Sequence, residues 1–271
     1  MTEAREATMF RDVKCAVVIS GASKGFGRAV ALEMAKIVGP HSKFFLTARS
    51  LSGLEETAKC VKEINGTAAC RVKTIDNEKP DSDAFEELLA PEEGEQFEAA
   101  LMVHNSGSIG NQGVGATMLN SAGELRTYLD CNLTSCFLLN SAFVKRFAEV
   151  PAKRKAVVQV SSLMAVQPQK TWSLYCAGKA ARDMFFRVMA EEEGPDGIRV
   201  LNYAPGPMDT QLVDDVLSSA STDGGVRAMF QEYKEGGKFL KPEVSAAKLI
   251  RIVEGAKFKS GDHVDYFDEE Q

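Results

Sequence analysis

The chain of 271 residues has one tryptophan, three histidines and no excess of positive charge. His41, His104 and His263 lie far apart and have no metal-ligand spacing, so no metal centre is expected. A net charge of −6 argues against nucleic acid or an anionic membrane as a general partner. No apolar run approaches the ~18 residues needed to cross a bilayer. The opening MTEAREATMFRDV lacks a hydrophobic stretch before a small-residue cleavage site, and the closing DYFDEEQ carries no lipidation or retention motif. The six cysteines (Cys15, Cys60, Cys70, Cys131, Cys136, Cys176) are scattered without CxxC spacing. Reduced thiols acting as small hydrophobes, in a cytosolic protein, are therefore expected.

What is present is an ordinary globular balance, 44% hydrophobic and 26% charged. A chain of this length buries roughly three quarters of its unfolded surface and needs neither disulfide nor metal to hold a core. Short β-branched runs alternate with longer amphipathic stretches. Strands are predicted at 15–20, 43–48, 68–75, 99–104, 155–161, 198–204 and near 263–267, and helices at 25–38, 51–65, 81–89, 123–148, 172–193 and 242–256. Continuous apolar strands such as AVVI and ALMV belong to a parallel sheet covered on both faces. The alternation predicts an α/β fold: a doubly wound, Rossmann-type, seven-stranded parallel sheet with helices on both faces, in a single domain over residues 1–271. The stretch 208–239 breaks the rhythm. It is helical, punctuated by glycine and placed after the sixth strand, where ligands of such sheets bind, so a substrate lid is expected there.

The first strand runs directly into Gly21-Ala22-Ser23-Lys24-Gly25-Phe26-Gly27 and then a helical stretch. Glycines in this register let the backbone turn tightly and approach a pyrophosphate, which a helix start then binds. The same residues satisfy G-x-S-x-G, the nucleophile elbow of hydrolases, with Ser23 as nucleophile and His263 as base. That reading fits poorly, because only one strand can precede Ser23. The second strand ends in Ala48-Arg49-Ser50, where an NAD-selective site would carry an acidic residue. Arg49 can fork onto a 2′-phosphate, Ser50 adds a hydroxyl and Lys24 adds a point charge, so NADPH is favoured over NADH.

Tyr175 and Lys179 are four residues apart at a predicted helix start, so they share a face, and Ser162 follows the fifth strand on the rim that carries the glycine loop. An ammonium beside a phenol favours phenolate and lowers its pKa, while a serine hydroxyl can hold a carbonyl oxygen. Alone, YxxxK is a weak signal; joined to the serine, the glycine loop and a parallel sheet, it is strong.

These segments, GASKGFGR, VSSLMAVQPQKTW, LYCAGKAARDM, YAPGPMDT and SGDHVDYFD, resemble the short-chain dehydrogenase/reductase family, and within it the members that reduce pterin side-chain ketones. The resemblance runs from about residue 15 to 267. It implies catalytic roles for Ser162, Tyr175 and Lys179, with Lys179 also on the nicotinamide ribose, and a proton-relay water held by Asn132. It implies cofactor contacts from Asp76 and Asn77 on the adenine side, from Asn105, and from Met208, Asp209, Thr210, Gln211, Leu212 and Val213 beyond the Pro205-Gly206-Pro207 turn. For substrate it implies Ser162, Leu163, Tyr175, Gly206 and, as pterin anchor, Asp265. A carboxylate can accept two adjacent N–H groups of a 2-amino-4-oxo pterin in a fork. The family's NNAG reads His104-Asn105-Ser106-Gly107 here, a departure at Ser106 that bears on backbone support. The resemblance further implies a homodimer, and reduction of sepiapterin and 6-pyruvoyl-tetrahydropterin in tetrahydrobiopterin synthesis. The readings set against it are a reductase for another carbonyl (a diketone, steroid or xenobiotic) and an NADPH-binding redox sensor without enzymatic activity.

Overall fold

The computed structural model describes residues 8–269. Seven strands form one sheet in the order β3-β2-β1-β4-β5-β6-β7. They are β1 (Cys15–Ser20), β2 (Lys43–Ala48), β3 (Ala69–Thr74), β4 (Ala99–His104), β5 (Lys155–Val160), β6 (Arg199–Ala204) and β7 (His263–Asp265). Every pairing is parallel. Crossovers are made by α1 (Gly25–Ala35), α2 (Leu51–Ile64), α3 (Ser82–Leu89), α4 (Ala122–Leu129), α5 (Ser135–Arg146), α6 (Ser173–Glu193), α7 (Gln211–Ser218), α8 (Gly224–Glu235) and α9 (Pro242–Gly255).

The apolar runs become central strands because both faces are covered: β1, β4 and β5 are buried at every position. Alternation along a strand sends successive side chains to opposite cores. Val17, Ile19, Leu101 and Val103 pack with Val30 and Met34 of α1 and Leu249 and Val253 of α9. Val18, Phe45, Met102 and Val157 pack instead with Phe85 of α3, Phe143 of α5 and Phe186 of α6. Because all strands are parallel, their carboxyl ends share one rim, and the order changes direction between β1 and β4, which opens a crevice there.

The structure differs from the periodicity at element ends. The third strand covers Ala69–Thr74, inside the predicted 68–75, and the last is only His263–Asp265. It stops because the Asp265 carboxylate accepts the Phe267 N–H at 2.9 Å, and its carbonyl the Asp268 N–H at 3.0 Å, which turns the chain. The long helix predicted at 123–148 is divided by a π-helical turn at Asp130–Thr134. The stretch 208–239 holds two helices, α7 and α8, and its ends are clasped by a bridge between Met208 and Leu240. All six cysteines are free thiols. No helix among the described residues is long and apolar enough to cross a membrane.

Candidate active site

The glycine loop is shaped at three points. Gly21 (φ +69°) and Gly25 (φ +56°) occupy left-handed backbone that a side chain would strain. At Gly27 the constraint is space: a Cβ there would sit 2.3 Å from the Gly21 carbonyl oxygen and 2.6 Å from the Asn105 amide nitrogen. Lys24, at the N-cap of α1, offers no capping side chain, so no N-cap side chain claims the first-turn N–H groups. A close-packed glycine turn beneath an uncapped helix start fits a pyrophosphate.

The turn is fastened to the neighbouring strand across the crevice. The Asn105 amide donates to the carbonyls of Ser20 (3.1 Å) and Gly21 (3.0 Å), while the Ser20 hydroxyl accepts the N–H groups of Asn105 and Ser106, each at 3.1 Å. Ser106 therefore keeps backbone support where the family motif has alanine. Asn105 braces the loop, and both hydrogens of its amide are engaged there. Arg28, which the sequence reading did not single out, donates from Nε to the Thr57 hydroxyl (2.9 Å) and from Nη2 to the Ser23 and Gly53 carbonyls. It joins the loop to the start of α2.

At the end of β2, Arg49 extends into solvent with its side chain 77% exposed, 3.8 Å from Glu78. Such an exposed pair is worth about 0–1 kcal/mol, so the guanidinium is easily redirected. Ser50 caps α2 by accepting the Gly53 N–H at 3.2 Å. Lys24 Nζ reaches Gln211 Oε1 (3.4 Å), and Thr210 Cγ2 would lie 3.7 Å from a Cβ on Gly25. The start of the 208–239 stretch thus lies across the loop. Asp76 accepts the Glu78 N–H at 3.1 Å, and Asn77 borders a small cavity with Ser20, Ser106 and Arg182.

Ser162, Tyr175 and Lys179 converge at the end of β5. Ser162 accepts the Met164 N–H at 3.1 Å, and its hydroxyl is near enough to Tyr175 to pull the phenol's pKa down. Lys179 donates to the Val160 carbonyl at 2.6 Å, and its Nζ lies 5.6 Å from the Tyr175 ring centre. The electrostatics differ from the expectation drawn from spacing. Burial raises the Tyr175 pKa, and the groups pulling it back are the Ser162 hydroxyl and the Arg182 guanidinium rather than the Lys179 ammonium. Lys179 is itself pushed down to about 7, by burial first and then by Arg182. The arginine is buried beneath the site, donating to the His104 and Ser106 carbonyls at 2.8 Å each. Asn132 lies in the π-helical turn, with its amide donating to the Tyr128 carbonyl (3.0 Å) and accepting the Ser108 N–H (2.8 Å). π-Turns inside helices concentrate at functional sites, and no periodicity in the sequence marks this one.

Helix α6 is held close to its neighbour by Gly178, where a Cβ would lie 2.4 Å from the Tyr128 hydroxyl. Its start follows Thr171, a β-branched residue at φ +66° and so a strained position. Trp172 meets Tyr175 edge-on at 5.6 Å and Phe230 of α8 at 5.9 Å, and Leu212 and Val216 of α7 join this cluster. The candidate lid therefore packs on the helix that carries the tyrosine. Leu163 is exposed at the mouth. Gly206 (φ +76°) lets the chain pass under Leu240, whose Cδ1 would be 2.9 Å from a Cβ.

Asp265 ends β7, two strands from β5 on the same rim, a span of ~10 Å at ordinary strand spacing. Val264 packs in the α1/α9 core whereas His263 bonds to Asp183 of α6, so alternation turns Asp265 toward the α6 face, the side that carries Tyr175. The hydrolase alternative fails on this topology. Ser23 lies beyond β1, four strands from β7, and His263 is paired with Asp183.

The family model for short chain dehydrogenase matches residues 15–220. The chain is a member of the short-chain dehydrogenase family. It is 38% identical over 260 residues to sepiapterin reductase of Rattus norvegicus, covering 94% of this chain and 97% of that one. To sepiapterin reductase of Xenopus laevis it is 38% identical over 273 residues, covering 99% and 100%. A short chain dehydrogenase/reductase structure from Saccharomyces cerevisiae superposes with a TM-score of 0.77 at 20% identity, over 94% of this chain and 96% of that one. In this short-chain dehydrogenase, Gly27→Ala is expected to weaken binding of a reduced nicotinamide dinucleotide at least tenfold, about 1.4 kcal/mol, by forcing the glycine turn from Asn105. A fluorescence titration checks this, and an unchanged Kd would show that the close approach is not needed.

Proposed function

We propose that the protein is an NADPH-dependent carbonyl reductase acting on C6 side-chain ketones of pterins, among them sepiapterin and 6-pyruvoyl-tetrahydropterin, in tetrahydrobiopterin synthesis. One observation carries the reading: Asp265 shares both the carboxyl rim and the α6 side of the sheet with Ser162 and Tyr175. A bicyclic heterocycle bearing a short ketone side chain suits a span of ~10 Å. The carboxylate accepts the adjacent N–H groups of the ring, and Ser162 and Tyr175 meet the ketone oxygen. The names of the rat and frog relatives agree with this substrate class.

When bound, NADPH supplies the hydride that the ketone carbon receives. The chain supplies the proton and the geometry. Reduction needs a phenol that arrives protonated, as a tyrosine is at neutral pH, and burial of Tyr175 favours that neutral form further. Tyr175 gives that proton to the developing alkoxide while Ser162 donates a hydrogen bond to the same oxygen. Lys179, held near neutrality and anchored on the Val160 carbonyl, replenishes the phenol and orients the ribose. Asn132 has its side chain tied at both ends, so the relay water falls to its main-chain carbonyl. The uncapped start of α1 takes the pyrophosphate, and Arg49, Ser50 and Lys24 take the 2′-phosphate. Asp76, Asn77 and Asn105 border the adenine side and the crevice, and residues 208–213 close over the cofactor as the first part of a lid hinged at the Met208–Leu240 bridge.

We assign the protein to the cytosol as a homodimer. Met184 and Val188 on α6 are 57% and 47% exposed beside a stacked Phe137–Phe185 pair with ring centres 3.9 Å apart, an apolar face suited to a second copy.

Purified protein mixed with NADPH and sepiapterin is expected to bleach the yellow pterin absorbance. In the same assay Asp265→Ala raises KM for the pterin about tenfold more than for a simple diketone; equal effects would mean that Asp265 does not touch the ring. Tyr175→Phe retains NADPH binding in a fluorescence titration yet loses roughly 10²-fold or more in kcat, and retained turnover would remove the phenol from the mechanism. Arg49→Ala narrows the ratio of kcat/KM with NADPH to that with NADH by about tenfold, and an unchanged ratio would return Arg49 to the solvated surface.

A further inference from the structure

Asp183 lies one helical turn beyond Lys179 on α6 and is buried, yet the proton path above does not use it. Its carboxylate joins the end of β5 to the start of β7, and its main-chain carbonyl reaches β6. Oδ1 accepts the Ser161 hydroxyl at 2.6 Å and the Gln159 amide at 3.3 Å, both from the end of β5. Oδ2 lies 2.6 Å from Nδ1 of His263, the first residue of β7. The Asp183 carbonyl accepts the Asn202 amide of β6 at 3.5 Å. A carboxylate only accepts, so Nδ1 of His263 carries the hydrogen of that bond. The same nitrogen lies 3.5 Å from the Ser161 hydroxyl.

Both ends of this network abut substrate-contacting residues of the proposed function. Ser161 precedes Ser162, and His263 stands two residues before Asp265 on the same face of β7. β7 needs such a tie. It is a three-residue edge strand whose ladder pairs only Asn202–Ala204 with His263–Asp265, and the chain turns away immediately afterwards. A buried ionisable pair of this kind adds little net stability relative to an apolar filling of the same shape; what it adds is a defined position.

We infer that the Asp183–His263 pair is a specificity-determining positioning device, setting the distance between the ketone-binding hydroxyls on β5 and α6 and the ring-anchoring carboxylate on β7. This rests on the pterin reading of the site. The device acts through Asp265 and does not touch the reacting atoms. Substrates too small to reach Asp265 are indifferent to it, and substrates that span the two points depend on it. A merely structural role would change both alike.

The test uses the full-length enzyme with NADPH and two substrates, sepiapterin and the small diketone 2,3-butanedione. His263→Ala is expected to raise KM for sepiapterin roughly tenfold, with kcat/KM for the diketone and the Kd for NADPH within about twofold of the parent. His263→Asn, whose amide can still donate toward Asp183, recovers most of the sepiapterin KM. Thermal melting of both variants separates loss of folded protein from loss of position, and the ratio of the two substrates' kcat/KM values is read from the folded fraction. A parallel loss for both substrates, an unchanged sepiapterin KM, or no recovery by asparagine would each overturn the inference. Absence of sepiapterin turnover by the unsubstituted protein would instead overturn the pterin reading on which it rests. Turnover that is indifferent to His263 overturns the positioning role alone.

Discussion

The pairing of β1 with β4 is the constraint on which the rest of the site depends. It reverses the winding direction of the sheet and leaves a crevice above two adjacent strand ends. Two residues then lock that crevice from below: Ser20 accepts the first two N–H groups beyond β4, and Asn105 returns its amide to the carbonyls of Ser20 and Gly21. Without this reciprocal clasp the glycine turn would have no reason to stay tight against the start of α1. Gly27 is required at the same point, because the helix passes so close to the clasp that even a methyl group would meet Asn105.

On the other side of β4 the site is governed by burial. The Arg182 guanidinium is enclosed beneath Lys179 and held by the carbonyls of His104 and Ser106, so it acts as a fixed charge in a poorly screened place. It depresses the neighbouring lysine and favours the tyrosinate, while desolvation favours the neutral phenol. Burial thus favours the neutral phenol at Tyr175 and the neutral amine at Lys179, with Arg182 opposing it at the first and adding to it at the second. The same arginine supports the loop that leads to Asn132, so the electrostatics and the backbone of the site share one anchor.

Much of this was legible in the residues. The continuous apolar runs marked β1 and β4 as strands covered on both faces, and their observed limits, Cys15–Ser20 and Ala99–His104, coincide with the expected ones. The glycine register and the four-residue offset of Tyr175 and Lys179 marked the two sides of the cleft because short-range spacing fixes which side chains share a turn or a face. Less legible were the features made by contacts distant in sequence. The π-helical turn at Asn132 carries no periodic signature. Arg28 and Arg182 read as ordinary helix cations until the structure buries them against carbonyls. Spacing reports that Lys179 lies beside Tyr175 and says nothing of the burial that acts on both or of the Arg182 charge beneath them.

What the linear chain determined alone is what local chemistry dictates: a parallel α/β sheet, a tight turn where glycine permits left-handed backbone, a helix that carries phenol and amine on one side, and family membership through those motifs. Folding in three dimensions decided which distant groups meet. Asp183 with His263, Arg182 with the β4 loop, and Asp265 on the same rim as Ser162 are separated by 80, 76 and 103 positions. Such pairings follow from strand order and side-chain direction, and local periodicity contains neither.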